Sequence, residues 1–118
     1  MTGRILQNSN VIEVRQGDSF TIRLQFKKGG NPIDLTGSII TMQVRKSDDT
    51  IVINKFAEAV DVSVGKFVIS LTPYETDVPV GDYDTDIQIQ MPDGSINTIF
   101  PADVNKVGVF RVTEQVTR

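Results

Sequence analysis

Three aspartates, Asp82, Asp84 and Asp86, occupy every second position of the stretch GDYDTDIQIQM. Clustered carboxylates are the ligands that Ca²⁺ prefers, but alternating polar residues also line the solvent face of a strand. Same-face side chains on a strand lie about 7 Å apart, so three of them cannot all reach one ion at about 2.3–2.6 Å. The loop pattern D-x-D-x-D-G is missing too, because Ile87 stands where glycine is required. The spacing therefore favours a solvated strand face.

Two roles remain open for these carboxylates. If a cation binds, we expect its ligands to be Asp82 and Asp84 with a loop carboxylate from Asp48 or Asp49. If the strand instead pairs antiparallel with the one that ends in Arg45, that arginine faces Asp84 or its neighbour. Such a cross-strand pair contributes about 0.2–1 kcal/mol. The solvated strand face, on which such a pair could form, is favoured over the cation site, and no metal is predicted.

Catalysis has little support in the composition. The 118-residue chain contains no cysteine and no histidine. It therefore lacks the commonest general base, the commonest metal ligand and the strongest nucleophile at neutral pH, and no Ser/His/Asp triad can be built. A carboxylate pair of the glycosidase type, such as Glu75 with Asp77, is a distant alternative. We predict no enzyme activity, no catalytic residues and no cofactor.

The charge and hydropathy patterns exclude two classes of partner. The formal net charge is −3, and lysine and arginine occur singly or in pairs rather than in a stripe. A nucleic-acid partner is therefore not expected, because binding to phosphates needs concentrated positive charge. No apolar run approaches the roughly 18 residues of a membrane span, and residues 1–10 lack a secretory signal, so we expect no membrane partner and synthesis in a cytoplasm.

Apolar residues alternate with polar ones along most of the chain, as in VIEVR, SFTIRLQF, SIITMQVRK, KFVISL and DYDTDIQIQM. Seven or eight short strands at intervals of about ten residues, with turn residues between them, are typical of two packed antiparallel sheets. We predict an all-β, immunoglobulin-like sandwich of seven to eight strands, formed as a single domain by residues 11–118. Residues 1–10, with Ile5 and Leu6 as their only apolar pair, are predicted to form an N-terminal arm.

Several residues are predicted to shape the sandwich. Tyr83, two residues after Gly81, is placed to form a tyrosine corner whose hydroxyl ties the preceding loop to the sheet. Gly94 completes a hairpin turn, Pro92-Asp93-Gly94, and Gly37 closes the turn segment NPIDLTG. In the strand after that hairpin, Ile96 and Phe100 are predicted to face inward.

The order of the segments NPIDLTG, MQVRKSDDT, GKFVISLT, VGDYDTDIQI, PDGSINT and RVTEQVTR resembles that of small immunoglobulin-like virion proteins of tailed bacteriophages. These include the N-terminal domain of baseplate upper proteins and short structural proteins of the tail or head. Two sequence patterns of the family are matched. The first, G-x-P-x-D-L-T-G, is matched by Gly30, Pro32, Asp34, Leu35, Thr36 and Gly37, and the second, G-x-Y-x-x-D, by Gly81, Tyr83 and Asp86.

The resemblance implies a non-enzymatic virion component, made in an infected bacterium, that packs against other virion proteins in a symmetric, multi-copy assembly and has no cofactor. A tail or baseplate module is the first expectation, and a capsid decoration protein is the alternative. An adhesive module that binds carbohydrate or a cation is the alternative from another class. Contacts, including possible self-association, are expected at Ile5 and Leu6, at the 47–50 turn and at Tyr74 in the 72–81 loop.

Overall fold

The computed structural model describes residues 4–5, 10–101 and 106–114, with the backbone alone at residues 4–5. Twelve strand segments lie within these ranges, together with one 3-10 turn at Val62–Val64. The strands are β1 (Arg4–Ile5), β2 (Val11–Arg15), β3 (Phe20–Gln25), β4 (Lys27–Lys28), β5 (Asn31–Pro32), β6 (Ile39–Arg45), β7 (Ile51–Phe56), β8 (Glu58–Asp61), β9 (Lys66–Leu71), β10 (Gly81–Gln90), β11 (Ile96–Phe100) and β12 (Gly108–Thr113).

The strands form two main sheets. The larger sheet has the order β1-β2-β12-β10-β6-β7, with β11 also paired to β10, and the smaller sheet has the order β3-β9-β8. The predicted all-β sandwich is confirmed. Two details differ from the expectation: three two-residue segments, β1, β4 and β5, raise the strand count, and β12 pairs with β2 in parallel. Among the residues that the structure describes, none forms a helix with the length and hydrophobicity of a membrane span.

One hydrophobic core lies between the sheets and is built by the predicted alternation. The alternate positions Ile40, Met42 and Val44 of β6 are at most 1% exposed, and Ile69 at the centre of β9 is fully buried. Phe20 of the smaller sheet meets Phe110 of the larger sheet edge to face, with ring centroids 6.1 Å apart. Aromatic pairs of this geometry stabilise a core beyond the area that they bury.

The prediction that Ile96 faces inward is wrong. Phe100 stands opposite the buried Ile87 and is itself buried, but the pairing of β10 with β11 shifts between Ile87 and Gln88. The shift gives β11 one extra residue, and a one-residue slip turns side chains to the opposite face. Ile96 therefore pairs with the exposed Gln90 and is 60% exposed.

The N-terminal segment pairs with its own sheet in the part that is described. Arg4 and Ile5 are opposite Glu13 and Ile12 of β2, in antiparallel register. Leu6 and the side chain of Ile5 lie outside the described residues. The division of the chain into an arm at 1–10 and a domain at 11–118 stays a prediction.

Candidate interaction surface

The three alternating aspartates lie on the outer face of the larger sheet. Asp82 and Asp84 are exposed and Asp86 is half-buried, while Tyr83 and Thr85 between them are buried. The predicted antiparallel pairing of β10 with β6 is confirmed, and it places Asp84 opposite Arg45. The solvated strand face is therefore the arrangement that β10 adopts.

Asp82 has a close cationic partner on the neighbouring strand. Arg111 of β12 donates from Nε to Asp82 Oδ1 at 2.9 Å and from Nη2 to Oδ2 at 3.3 Å. This hydrogen-bonded guanidinium holds the pKa of Asp82 below its usual value. Arg45, in contrast, donates to Gln43 Oε1 on its own strand, although Asp84 stands opposite it.

The candidate cation ligands do not gather into one binding site among the described residues. Asp48 accepts the N–H of Thr50 at 3.0 Å. Hydrogen bonding to Thr50, first by its side chain and then by its N–H, holds the pKa of Asp48 below its usual value. Asp49 occupies the same turn with φ of 69°. Asp49 and Asp84 line an open surface cavity of about 400 Å³ that Arg45 also lines. Among the described residues, no three carboxylates are grouped closely enough to hold a metal ion.

Tyr83 joins the long loop before β10 to the core. Its ring is 8% exposed, and its hydroxyl donates to the carbonyl of Pro79, four residues earlier, at 2.5 Å. Burial raises the pKa of this phenol, which keeps the hydroxyl protonated and able to donate. The geometry is that of the tyrosine corner suggested by the sequence.

Two loops at the end of β10 pack against each other. Gly94 has φ of 89° in the turn after Pro92, a conformation that glycine adopts without steric cost. The turn is closed by a hydrogen bond from the N–H of Gly94 to the carbonyl of Met91. A Cβ on Gly37 would lie 3.1 Å from Cγ of Pro92, so Gly37 lets the two loops approach closely.

An exposed apolar patch lies beside these loops on the outer face of the larger sheet. It consists of Ile39, Phe56 and Ile96, which are 50%, 60% and 60% exposed. Phe56 is opposite Thr41, so it is the diagonal neighbour of Ile39. Gln90 has Ile39 on one side and Ile96 on the other. This patch could not be predicted, because alternation does not tell which apolar residues of a strand remain exposed in the fold.

A second surface feature, also missed, connects β7 to the 72–81 loop. Lys55 Nζ lies 3.1 Å from Glu75 Oε1, which also accepts the N–H of Thr72 at 2.9 Å. These contacts hold the pKa of Glu75 below its usual value, the Thr72 N–H being the largest cause. Tyr74, the predicted contact residue, is 89% exposed and borders a cavity of about 350 Å³ beside Asn54. The sequence does not indicate that Lys55 contacts Glu75, because only the folded structure brings the two side chains together.

Gly108 is a structural residue that the sequence did not single out. A Cβ at this position would lie 2.3 Å from the carbonyl oxygen of Thr85 and 3.2 Å from the ring of Phe100. Only glycine permits β12 to start so close to β10. In the sequence, Gly108 is an unremarkable glycine within VGVFRV.

These observations define the class of protein as a β-sandwich. Among the residues that the structure describes, its surface carries an exposed apolar patch and ion pairs. Residues 3–101 match the model of the BppU N-terminal domain, the N-terminal domain of baseplate upper proteins, and the chain belongs to that family. The predicted relationship to immunoglobulin-like phage baseplate proteins is thereby confirmed. No protein of curated function matches the chain.

Three solved structures are similar to the chain at low identity. The N-terminal domain of phage TP901-1 ORF48 is 14% identical, with 87% of this chain and 82% of that chain covered and a TM-score of 0.49. CopC from Methylosinus trichosporium OB3b is 16% identical, with coverages of 90% and 86% and a TM-score of 0.48. Murine CRIg is 9% identical, with coverages of 91% and 93% and a TM-score of 0.40. The family assignment rests on the sequence model.

Proposed function

We propose that the chain is a structural module of a phage tail baseplate, with no catalytic activity, that works by packing against other proteins of the virion. The observation that carries this proposal is the match of residues 3–101 to the BppU N-terminal domain. Assembly takes place in the cytoplasm of the infected bacterium. Neither nucleic acid nor a membrane takes part in the contact.

The apolar patch supports a packing role. Burying apolar surface contributes roughly 25 cal/mol per Å², so three large side chains at one end of a sheet can anchor a modest interface. Symmetric, multi-copy assembly multiplies a modest interface, because later contacts form at a high effective concentration. We propose Ile39, Phe56 and Ile96 as the central contacts, with Tyr74, Ile5 and Leu6 as further ones.

The location in the particle is tested by labelling purified virions of the encoding phage with gold-conjugated antibodies against the chain. We expect gold particles at the distal end of the tail. Label spread over the head would favour capsid decoration instead, and unlabelled virions would overturn the proposal of a virion protein.

The role of the patch is tested by incorporation of a variant. We expect Ile96→Asp to lower the amount of the chain in purified virions at least several-fold, because a carboxylate would be buried at the contact. Ile96 is exposed, so the fold should survive. The matched control is Asn31→Asp on the exposed β4–β5 hairpin, which should be incorporated normally. Equal incorporation of both variants would contradict the assignment of the patch.

A further inference from the structure

The turn at residues 72–77 is shaped by its own sequence, TPYETD. Thr72 Oγ1 accepts the N–H of Glu75 at 3.2 Å, and Glu75 Oε1 accepts the N–H of Thr72 at 2.9 Å. These reciprocal bonds are those of a capping box, which satisfies backbone donors at the start of a helical turn. Pro73 follows the cap, where its fixed φ suits such a turn. The local sequence therefore fixes the backbone that carries Tyr74.

Contacts with other parts of the chain hold this turn in place. Thr76 is fully buried, and its hydroxyl donates to the carbonyl of Asp18 at 2.6 Å. Its own carbonyl accepts the N–H of Gly17 at 3.3 Å. Glu75 binds Lys55 of β7 at 3.1 Å. The turn is thus bonded both to β7 and to the connection between β2 and β3, so a side chain on it is presented in a fixed position, which lowers the entropy lost on binding.

A surface cavity of about 350 Å³ lies beside the turn. Tyr74, which is 89% exposed, forms an aromatic wall, and the half-buried Val52 and Val78 form apolar ones. The carboxylates of Glu75 and Asp77 also line the cavity, and no basic side chain among the described residues does. The cavity therefore combines an aromatic ring, apolar walls and negative charge.

The uncompensated charge of the cavity belongs to Asp77. Glu75 is paired with Lys55, whereas the side chain of Asp77 is exposed and has no ionic partner among the described residues. A carboxylate beside an exposed aromatic ring suits a guanidinium, which stacks within about 6 Å of a ring centre and donates paired N–H groups to a carboxylate. A ligand that carries a carboxylate or a phosphate would be repelled. Charge complementarity therefore favours a basic side chain as the occupant.

We propose that this cavity binds an arginine side chain of a neighbouring virion protein, with the guanidinium stacked on Tyr74 and hydrogen-bonded to Asp77. The methylene groups of the arginine pack against Val52 and Val78, since long basic side chains cover apolar surface. Arginine fits better than lysine, because only its planar group can both stack on a ring and form paired hydrogen bonds. Tyrosine and arginine are also the residues that most often dominate binding interfaces. The inference rests on the proposed function, because it takes the partner from the same particle.

The first test is an NMR titration of the full chain with N-acetyl-arginine amide at millimolar concentration. The matched probe is N-acetyl-citrulline amide, which has nearly the same shape and no charge. We expect the arginine probe to shift the amide signals of Asn54 and of residues 74–78, and the citrulline probe to bind at least several-fold more weakly. Absent shifts, or equal binding of the two probes, would overturn the proposal. Shifts caused by methyl glucoside but not by the arginine probe would indicate a sugar site and would also overturn it.

Variants locate the arginine site on the chain. Tyr74→Ala and Asp77→Asn should each weaken binding of the arginine probe at least several-fold, and both positions are exposed, so the fold should survive. Asp84→Asn is the matched control, because it makes the same change at an exposed carboxylate of β10 and should leave the shifts at residues 74–78 unchanged. Equal binding by the Asp77→Asn and Asp84→Asn variants would overturn the role of Asp77.

The second test separates this inference from the proposed function. We expect Asp77→Lys to be incorporated into virions at least several-fold less than Glu58→Lys, which makes the same charge reversal at an exposed position of β8. Normal incorporation of both variants would overturn the arginine contact and leave the chain a virion protein. Absence of the unchanged chain from virions would overturn the proposed function, and with it the virion partner, whatever the titration shows.

Discussion

The position of Tyr83, two residues after a glycine at a strand start, suits a tyrosine corner, and in the structure its hydroxyl donates to the carbonyl of Pro79. The polar residues were harder to place. Alternation put Asp82 and Asp84 on the outer face, but it did not show that Arg111 binds Asp82. Asp82 and Arg111 are 29 residues apart in the sequence and meet because β10 pairs with β12. The order of strands in a sheet decides such a contact, and a single sequence does not reveal that order.

At the scale of the residue, we expect Tyr83→Phe to lower the free energy of unfolding by about 0.5–1.5 kcal/mol. The change keeps the buried ring and removes the hydrogen bond to the carbonyl of Pro79. Urea unfolding followed by circular dichroism measures the difference. Tyr74→Phe, at a position 89% exposed, is the control and should stay within about 0.5 kcal/mol of the original. Equal stability of both variants would show that the bond to Pro79 contributes nothing.

At the scale of the element, the strands were largely predictable and their irregularities were not. The alternation in SIITMQVRK and KFVISL assigned the buried faces of β6 and β9 correctly. It failed for β11, because the extra residue opposite Ile87 and Gln88 changes which side chains face the core. A bulge depends on the partner strand, so a strand read alone gives no sign of it.

We expect Gly108→Ala to destabilise the protein by about 1–3 kcal/mol, the usual cost of forcing extra volume into a packed site. The new Cβ would meet the carbonyl oxygen of Thr85, a backbone atom that moves only with β10. Thermal and urea unfolding give the change. Val107→Ala, next to it and 65% exposed, should leave stability within about 0.5 kcal/mol. An unchanged Gly108→Ala variant would mean that β12 can move away from β10 freely.

At the scale of the whole molecule, several carboxylates make the stability of the fold depend on pH, and all of them act in the same direction. The pKa values of Asp34, Asp48, Asp82, Asp93 and Glu75 all lie below their usual values in the folded chain, through hydrogen bonds to backbone, hydroxyl or cationic groups. A lowered folded pKa means that the unfolded chain binds protons first on acidification. Their stabilising contribution is complete above the ordinary values of 3.8 and 4.5 and is lost as the pH falls through the folded values.

We therefore expect stability to be nearly flat between about pH 5.5 and 8, because the chain has no histidine, and to fall below about pH 4.5. Urea midpoints measured from pH 8 to pH 3 test this. Glu75→Gln should be less stable than the original at neutral pH, and the gap should narrow in acid. A constant gap at every pH would contradict the role given to the ionised Glu75.

The sandwich class and the family could be predicted from the sequence, since both depend on strand periodicity and turn order. The apolar patch and the position of β7 at the end of the larger sheet could not. Both depend on which strands end up as neighbours, and the alternation in IVINKF is the same whether the strand lies at the centre or at the margin of a sheet.

The parallel pairing of β2 with β12 has a mechanical consequence. Five facing pairs, from Val11 with Val109 to Arg15 with Thr113, run in the same direction along the ladder. A pull that draws the beginning of β2 away from the end of β12 acts along the strands, so the bonds of the ladder carry the load together instead of opening one after another. Tension applied in that direction loads the ladder in shear, the geometry in which hydrogen-bonded strands resist separation most strongly.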